Sequence, residues 1–163
     1  MIKYVPQDTS VVFAEIPDEV SLAINLSCCP HHCPGCHSPY LQTDCGEELT
    51  TDVLDKLVKD NKGITCIVFM GGDADKHRLL ELARHLSATG YKLAWYSGEE
   101  DIDFYKYGWY FDYIKVGPFI KEKGPLNDPN TNQRLYKTGR LHNYKQIIIT
   151  DITNKFWKND NNK

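Results

Sequence analysis

Residues 64 to 70, Ile-Thr-Cys-Ile-Val-Phe-Met, form a nearly continuous apolar run that Gly71-Gly72-Asp73 ends at once. A strand with one face in water alternates polar and apolar residues, so an unbroken run reads as a parallel strand covered on both faces. Helices provide such cover, and the flanking chain carries their patterns. Thr50 or Thr51 caps a helix to about Asn61, with Val53, Leu54, Leu57 and Val58 on one face. A second helix is expected from Asp75 to Thr89, burying Leu79, Leu80, Leu82, Ala83 and Leu86, with Gly90 as its stop. Val20, Leu22, Ile24 and Leu26 alternate as an earlier strand, and Val11 to Ile16 is a short apolar run before it. Later strands are read at Tyr91 to Ser97, Asp112 to Gly117 and Gln146 to Asp151, with a short helical stretch ending near Gly108. Strand and helix alternate four times, the pattern of βα units around a parallel sheet.

The 163 residues suit a single domain, 1 to 163, able to bury a core. Nineteen Lys and Arg against 22 Asp and Glu give a formal charge of −3, and no basic stripe interleaved with aromatics marks a nucleic-acid track. Apolar runs are strand-sized, too short to span a membrane, and the first residues carry no basic-plus-apolar leader pattern. The expectation is a soluble cytoplasmic protein with a polar tail, residues 155 to 163, that frays.

Between Cys29 and Cys36 the chain reads Cys-Pro-His-His-Cys-Pro-Gly-Cys, three cysteines spaced x3 then x2. Three thiolates on one short loop can hold three irons of a cubane cluster and leave the fourth iron open to a ligand. The same three with one of His31, His32, His37, Cys28 or Cys45 could instead close a Cys3His-type zinc site, although no second CxxC follows downstream. Plain buried or surface cysteines are the third reading. Cys28 is expected to point away from Cys29 by strand alternation. It, Cys45 and Cys66 are given no metal role, Cys66 reading as a small hydrophobe inside a strand.

Ligands of βα folds bind at the carboxyl ends of the strands. The cysteine loop, Gly71-Gly72-Asp73, Ser97-Gly98 and Gly117-Pro118 each follow a strand directly, so all four should meet on one rim. Glycines there let backbone approach a ligand, and Asp73 could accept from an ammonium group or serve the following helix as its N-terminal partner. Ser97 suits a sugar hydroxyl or a turn cap. Lys115, between Ile114 and Val116, either points into a polar site or snorkels outward.

These residues carry a family resemblance from about Val20 to Ile149. Cys29-x3-Cys33-x2-Cys36 resembles the radical S-adenosylmethionine signature, and Gly71-Gly72-Asp73 resembles that superfamily's second-strand glycine motif. With Gly117-Pro118-Phe119-Ile120 and Asn132-Gln133-Arg134 downstream, the loop is similar to that of the anaerobic ribonucleoside-triphosphate reductase activating proteins, which are glycyl-radical activases. Ala74 stands where a proline is common, and Ser38 where Asn is frequent. The resemblance implies an abbreviated, partial parallel βα barrel with the cluster loop after its first strand. It implies a [4Fe-4S] cluster on Cys29, Cys33 and Cys36, and S-adenosylmethionine held with Gly35, His37, Gly71, Gly72, Asp73, Ser97 and Lys115. A one-electron reductant such as flavodoxin or ferredoxin would drive cleavage to methionine and a 5′-deoxyadenosyl radical. That radical would take a hydrogen from a glycine Cα on the large reductase subunit, gripped through Phe119, Asn132 and Arg134. The rival functions are activation of another glycyl-radical enzyme, radical modification of a small molecule, and a non-catalytic zinc module for protein contact.

Overall fold

The computed structural model describes residues 1 to 157. Its strands are β1 (Lys3–Tyr4), β2 (Ser10–Val12), β3 (Ser21–Asn25), β4 (Glu47–Glu48), β5 (Cys66–Met70), β6 (Lys92–Tyr96), β7 (Tyr113–Val116), β8 (Arg134–Leu141) and β9 (Gln146–Asp151). Its α-helices are α1 (Thr51–Asp60), α2 (Lys76–Leu86) and α3 (Phe104–Tyr107). Seven strands make one mixed sheet in the order β2-β3-β5-β6-β7-β8-β9, while β1 and β4 pair separately. The middle four, β3, β5, β6 and β7, are parallel. Each crossover between them carries one of the three α-helices. The sheet is open, its edges being β2 and β9.

The helix boundaries follow local chemistry. Thr50 caps α1 by accepting from the Val53 N–H, and Asp75 caps α2 by accepting from the Arg78 N–H. α2 ends at Leu86, three residues before Thr89, because Ser87 takes the C-cap and bonds the Arg84 carbonyl. Alternation along the strands then divides the core in two. Leu22, Ile24, Ile67, Phe69, Leu93, Trp95 and Ile114 face the helices, where Leu54, Leu79, Leu82 and Leu86 bury against them. Val68, Ala94, Tyr113 and Leu135 face the other way, covered by Ile16, Ile152 and Phe156. Two-sided burial accounts for the unbroken apolar run at residues 64 to 70.

Two expectations need correction. The alternation stops after three crossovers, because β7 is followed by an antiparallel β8–β9 hairpin. β8 has only Leu135 and Thr138 buried and carries Gly139, so backbone pairing rather than an apolar pattern defines it. Cys28 does not lie on a strand; β3 ends at Asn25, and Cys28 has a left-handed φ of 61°. Residues 153 to 156 of the tail region form a short 3-10 turn packed under the sheet, and residues 158 to 163 lie outside the described residues. Among the described residues no helix is long and apolar enough to cross a membrane.

Candidate metal centre and cofactor cleft

The sheet register builds the floor of a cleft at the carboxyl ends of the parallel strands. Asn25 pairs with Met70, Met70 with Tyr96, and Tyr96 with Lys115, so these four side chains stand in one row on one face. All four line an open cleft of about 260 Å³. Its walls are the segments that follow those strands. Cys29, His31, Cys33, Cys36 and His37 come from the cysteine loop, Gly71 and Asp73 from the glycine turn, Ser97 and Gly98 from the end of β6, and Phe119 and Gln133 from beyond β7.

The cysteine loop is pinned at its base. The Cys28 N–H donates to the Thr43 carbonyl at 3.1 Å and the Cys29 N–H to the Leu41 carbonyl at 2.9 Å, so the chain leaves and returns side by side. Between these points His32 and Gly35 adopt left-handed φ, and the Cys36 N–H closes a turn onto the Cys33 carbonyl. The three thiols therefore reach one cleft wall. Burial pushes the Cys29 thiol up, the His31 N–H partly offsets this, and Asp73, Cys33 and Cys36 add to it through charge. Three thiolates sharing one cleft wall need a cationic partner, which a bound metal would supply. A donor set of three thiols on one loop, opening onto a cleft, fits a cluster with an open iron.

Asp73 ties the walls together. Its Oδ1 accepts from the Ser97 hydroxyl at 2.6 Å, and its Oδ2 accepts from the Gly98 N–H at 2.9 Å and from His31 Nε2 at 2.8 Å. The carboxylate is 1 % exposed, so its acceptor sites serve the protein's own loops. A Cβ at Gly98 would lie 2.4 Å from the His31 ring, which explains a glycine there. Lys76 pairs with Glu99 at 2.5 Å just outside. Lys115, at the end of the floor row, donates to the Gly117 carbonyl at 2.6 Å and the Ser97 carbonyl at 3.3 Å. Burial pushes its ammonium down to about 8, against the pull of Asp73, Cys33 and Cys29.

The structure sorts the residues read from the sequence. Cys29, Cys33, Cys36, His37, Gly71, Asp73, Ser97, Lys115 and Phe119 share the cleft. Gly72 does not: a Cβ there would meet Leu26 and Leu79 of the core at 3.1 and 3.2 Å, so this glycine permits packing and a left-handed turn rather than ligand approach. Gly35 lies against Phe119 and Lys121, while His37 packs at a tilt against Phe119 with ring centroids 5.3 Å apart. Asn132 bonds the Pro118 carbonyl at 2.9 Å. Arg134 sits at the start of β8, where one guanidinium nitrogen donates to the carbonyls of Thr131 and Gln133 at 2.8 Å each. Of the Asn132-Gln133-Arg134 triplet it is Gln133, 7 % exposed, that faces the cleft. Asn25, Met70 and Tyr96 went unread because only pairing register places them here, the position of each at a strand end being the available signal, while Gln133 reads as part of its triplet with no site role of its own.

Comparison with protein families matches residues 20 to 123 to the model of the 4Fe-4S single cluster domain. The chain belongs to that family. The match runs from β3 through the cysteine loop and β7 to Lys123, taking in every cleft wall except those Pro125 and Gln133 provide. This 4Fe-4S single cluster domain is of the kind typical of radical S-adenosylmethionine activases. Searches among curated proteins and among solved structures each gave no match. Family membership sets aside the zinc-module and plain-cysteine readings in favour of an iron–sulfur domain.

Proposed function

We propose that this 4Fe-4S domain is a glycyl-radical activating enzyme that acts on the large subunit of an anaerobic ribonucleoside-triphosphate reductase. The observation that carries the reading is the single cleft in which three loop cysteines face Ser97 and a buried lysine across the strand-end floor. Cys29, Cys33 and Cys36 would ligate three irons of the cluster, leaving the fourth for S-adenosylmethionine. When bound, the cluster supplies the electron for reductive cleavage of that cofactor, producing the radical that takes hydrogen from a glycine.

The chain's own residues position and enclose. The Lys115 ammonium, held by two carbonyls, presents a positive charge suited to a carboxylate. Gly71 exposes backbone to the cleft, and its carbonyl orientation is set by the Trp95 indole N–H at 3.0 Å. Asp73 and Ser97 hold the loop walls, so their role is positioning. The sheet is open, and a cleft at its strand ends that is not enclosed by a barrel wall leaves room for a protein loop. Phe119 is the rim group best placed to meet it. An external one-electron reductant completes the system.

The test is anaerobic reconstitution with iron and sulfide, followed by assay for 5′-deoxyadenosine and, after mixing with the large reductase subunit, for a glycyl radical by electron paramagnetic resonance. Cys29→Ala, Cys33→Ala and Cys36→Ala should each lose the cluster and cofactor cleavage, whereas Cys28→Ala and Cys45→Ala should keep both. Cleavage without any radical on the reductase would redirect the proposal to another radical substrate. Cluster loss on Cys28→Ala with retention on Cys29→Ala would overturn the ligand assignment.

A further inference from the structure

Inside the cleft, Gln133 is a buried polar side chain whose hydrogen-bonding groups are poorly met. It is 7 % exposed and lines the cleft with Pro118, Phe119 and Pro125, whose side chains offer neither donor nor acceptor. Its Nε2 donates to the Gly117 carbonyl at 3.4 Å, beyond the usual range for such a bond. That carbonyl is already engaged by the Lys115 ammonium at 2.6 Å. Among the described residues no donor reaches the Gln133 Oε1. The backbone is fixed independently, because the Gln133 N–H donates to the Thr131 hydroxyl at 3.1 Å and its carbonyl accepts from Arg134 at 2.8 Å. Buried carboxamides are normally satisfied, and an apolar side chain of similar size would fill this wall without the cost of unmet groups. The carboxamide therefore points to a ligand.

The family match narrows what that ligand is. Residues 20 to 123 hold the cysteines, the glycine turn, Ser97 and Lys115, so the chemistry common to the family is contained there. Gln133 and Pro125 lie outside the match, where groups that select a substrate can differ. A glycine has no side chain to recognise, so an enzyme that selects one has to hold its main chain. In an extended segment the N–H and C=O of one residue point to the same edge. A single carboxamide can accept from the first and donate to the second. Against two prolines and a phenylalanine those main-chain groups would otherwise be desolvated without a partner.

We propose that Gln133 is a substrate-binding residue that holds the main chain of the glycine presented by the partner, its Oε1 accepting from the glycine N–H and its Nε2 donating to the glycine C=O. This rests on the glycyl-radical reading above. Binding exchanges the long contact to Gly117 for a shorter one and leaves Lys115 its own bond to that carbonyl. The wall behind the carboxamide is steadied by Asn132, which donates to the Pro118 carbonyl at 2.9 Å. Gly117 allows the close approach: a Cβ there would lie 3.2 Å from the Gln133 Cα.

The probe is a short peptide centred on the radical glycine of an anaerobic reductase large subunit, set against the same peptide with N-methylglycine there, which has no N–H to give. Titration into cluster-loaded protein with adenosylmethionine and no reductant yields the two dissociation constants. The wild type should prefer the glycine peptide by about tenfold. Gln133→Met, close to glutamine in length, should bind both peptides equally and weakly, whereas Gln133→Glu, which keeps an acceptor, should retain the preference. A wild type without the preference overturns the proposal, as does a Gln133→Met protein that keeps it. So does a Gln133→Met protein that loses affinity for adenosylmethionine to the same degree, since that assigns the carboxamide to the cofactor. The glycyl-radical reading fails separately. If the peptide carries α-deuterated glycine and the 5′-deoxyadenosine formed after reduction holds no deuterium, that reading falls, and a measured preference still assigns Gln133 to peptide binding.

Discussion

Lys115 is the residue where burial and charge meet most directly. Its ammonium is nearly enclosed and satisfied only by two carbonyls, and desolvation lowers it to about 8 from 10.5. At neutral pH it still carries its proton and can meet an anionic group. Between about 8 and 10.5 the unfolded chain holds a proton that the folded chain has released, so the Lys115 contribution to stability rises with pH through that window. Lys115→Met should remove this rise. Urea unfolding of the apoprotein should show the variant more stable than wild type below the window, by up to about 3 kcal/mol, with the gap closing above it. A gap independent of pH would mean that Lys115 is not the titrating group. The sequence exposed this lysine because a charge between Ile114 and Val116 stands out. Arg134 stood out as well, and one nitrogen of its guanidinium is held by the carbonyls of its own turn, a kind of hydrogen bond that leaves no mark on a sequence.

The cysteine loop shows how elements are fastened to one another. Its base is held by backbone bonds, and its far side by one side-chain hydrogen bond to the glycine turn, His31 to Asp73, beside the packing of His37 against Phe119. A hydrogen bond to a buried carboxylate contributes on the order of 1.5 to 3 kcal/mol, enough to decide how long the loop keeps a cluster. His31→Ala should still assemble the cluster but release iron to a chelator about tenfold faster or more. His32→Ala, whose ring bonds the exposed Gln42 at 3.2 Å, should match wild type. Equal release from all three proteins would show that the backbone pins suffice. The cysteine spacing and the strand-end glycines were readable as elements, which is why the cleft walls were largely foreseen. The floor was not, because Asn25, Met70 and Tyr96 form one row with Lys115 only once four strands lie in register.

Across the whole molecule burial falls from the centre of the sheet to its edges. β5 and β6 are central strands with apolar cover on both faces, whereas β9 is an edge strand whose only buried residue is Ile147. The β8–β9 hairpin is also the portion that periodicity described least well: β9 was readable from its run of isoleucines, while β8 was not. Amide exchange follows local opening, so slow exchange belongs where hydrogen bonds and burial coincide. Native-state hydrogen exchange should therefore find Val68, Phe69, Ala94 and Trp95 among the slowest amides, and β9 among the faster strands in dilute protein. Protection of the β9 amides equal to that of Phe69 and Trp95 would show that burial and pairing do not set the order in which the sheet opens.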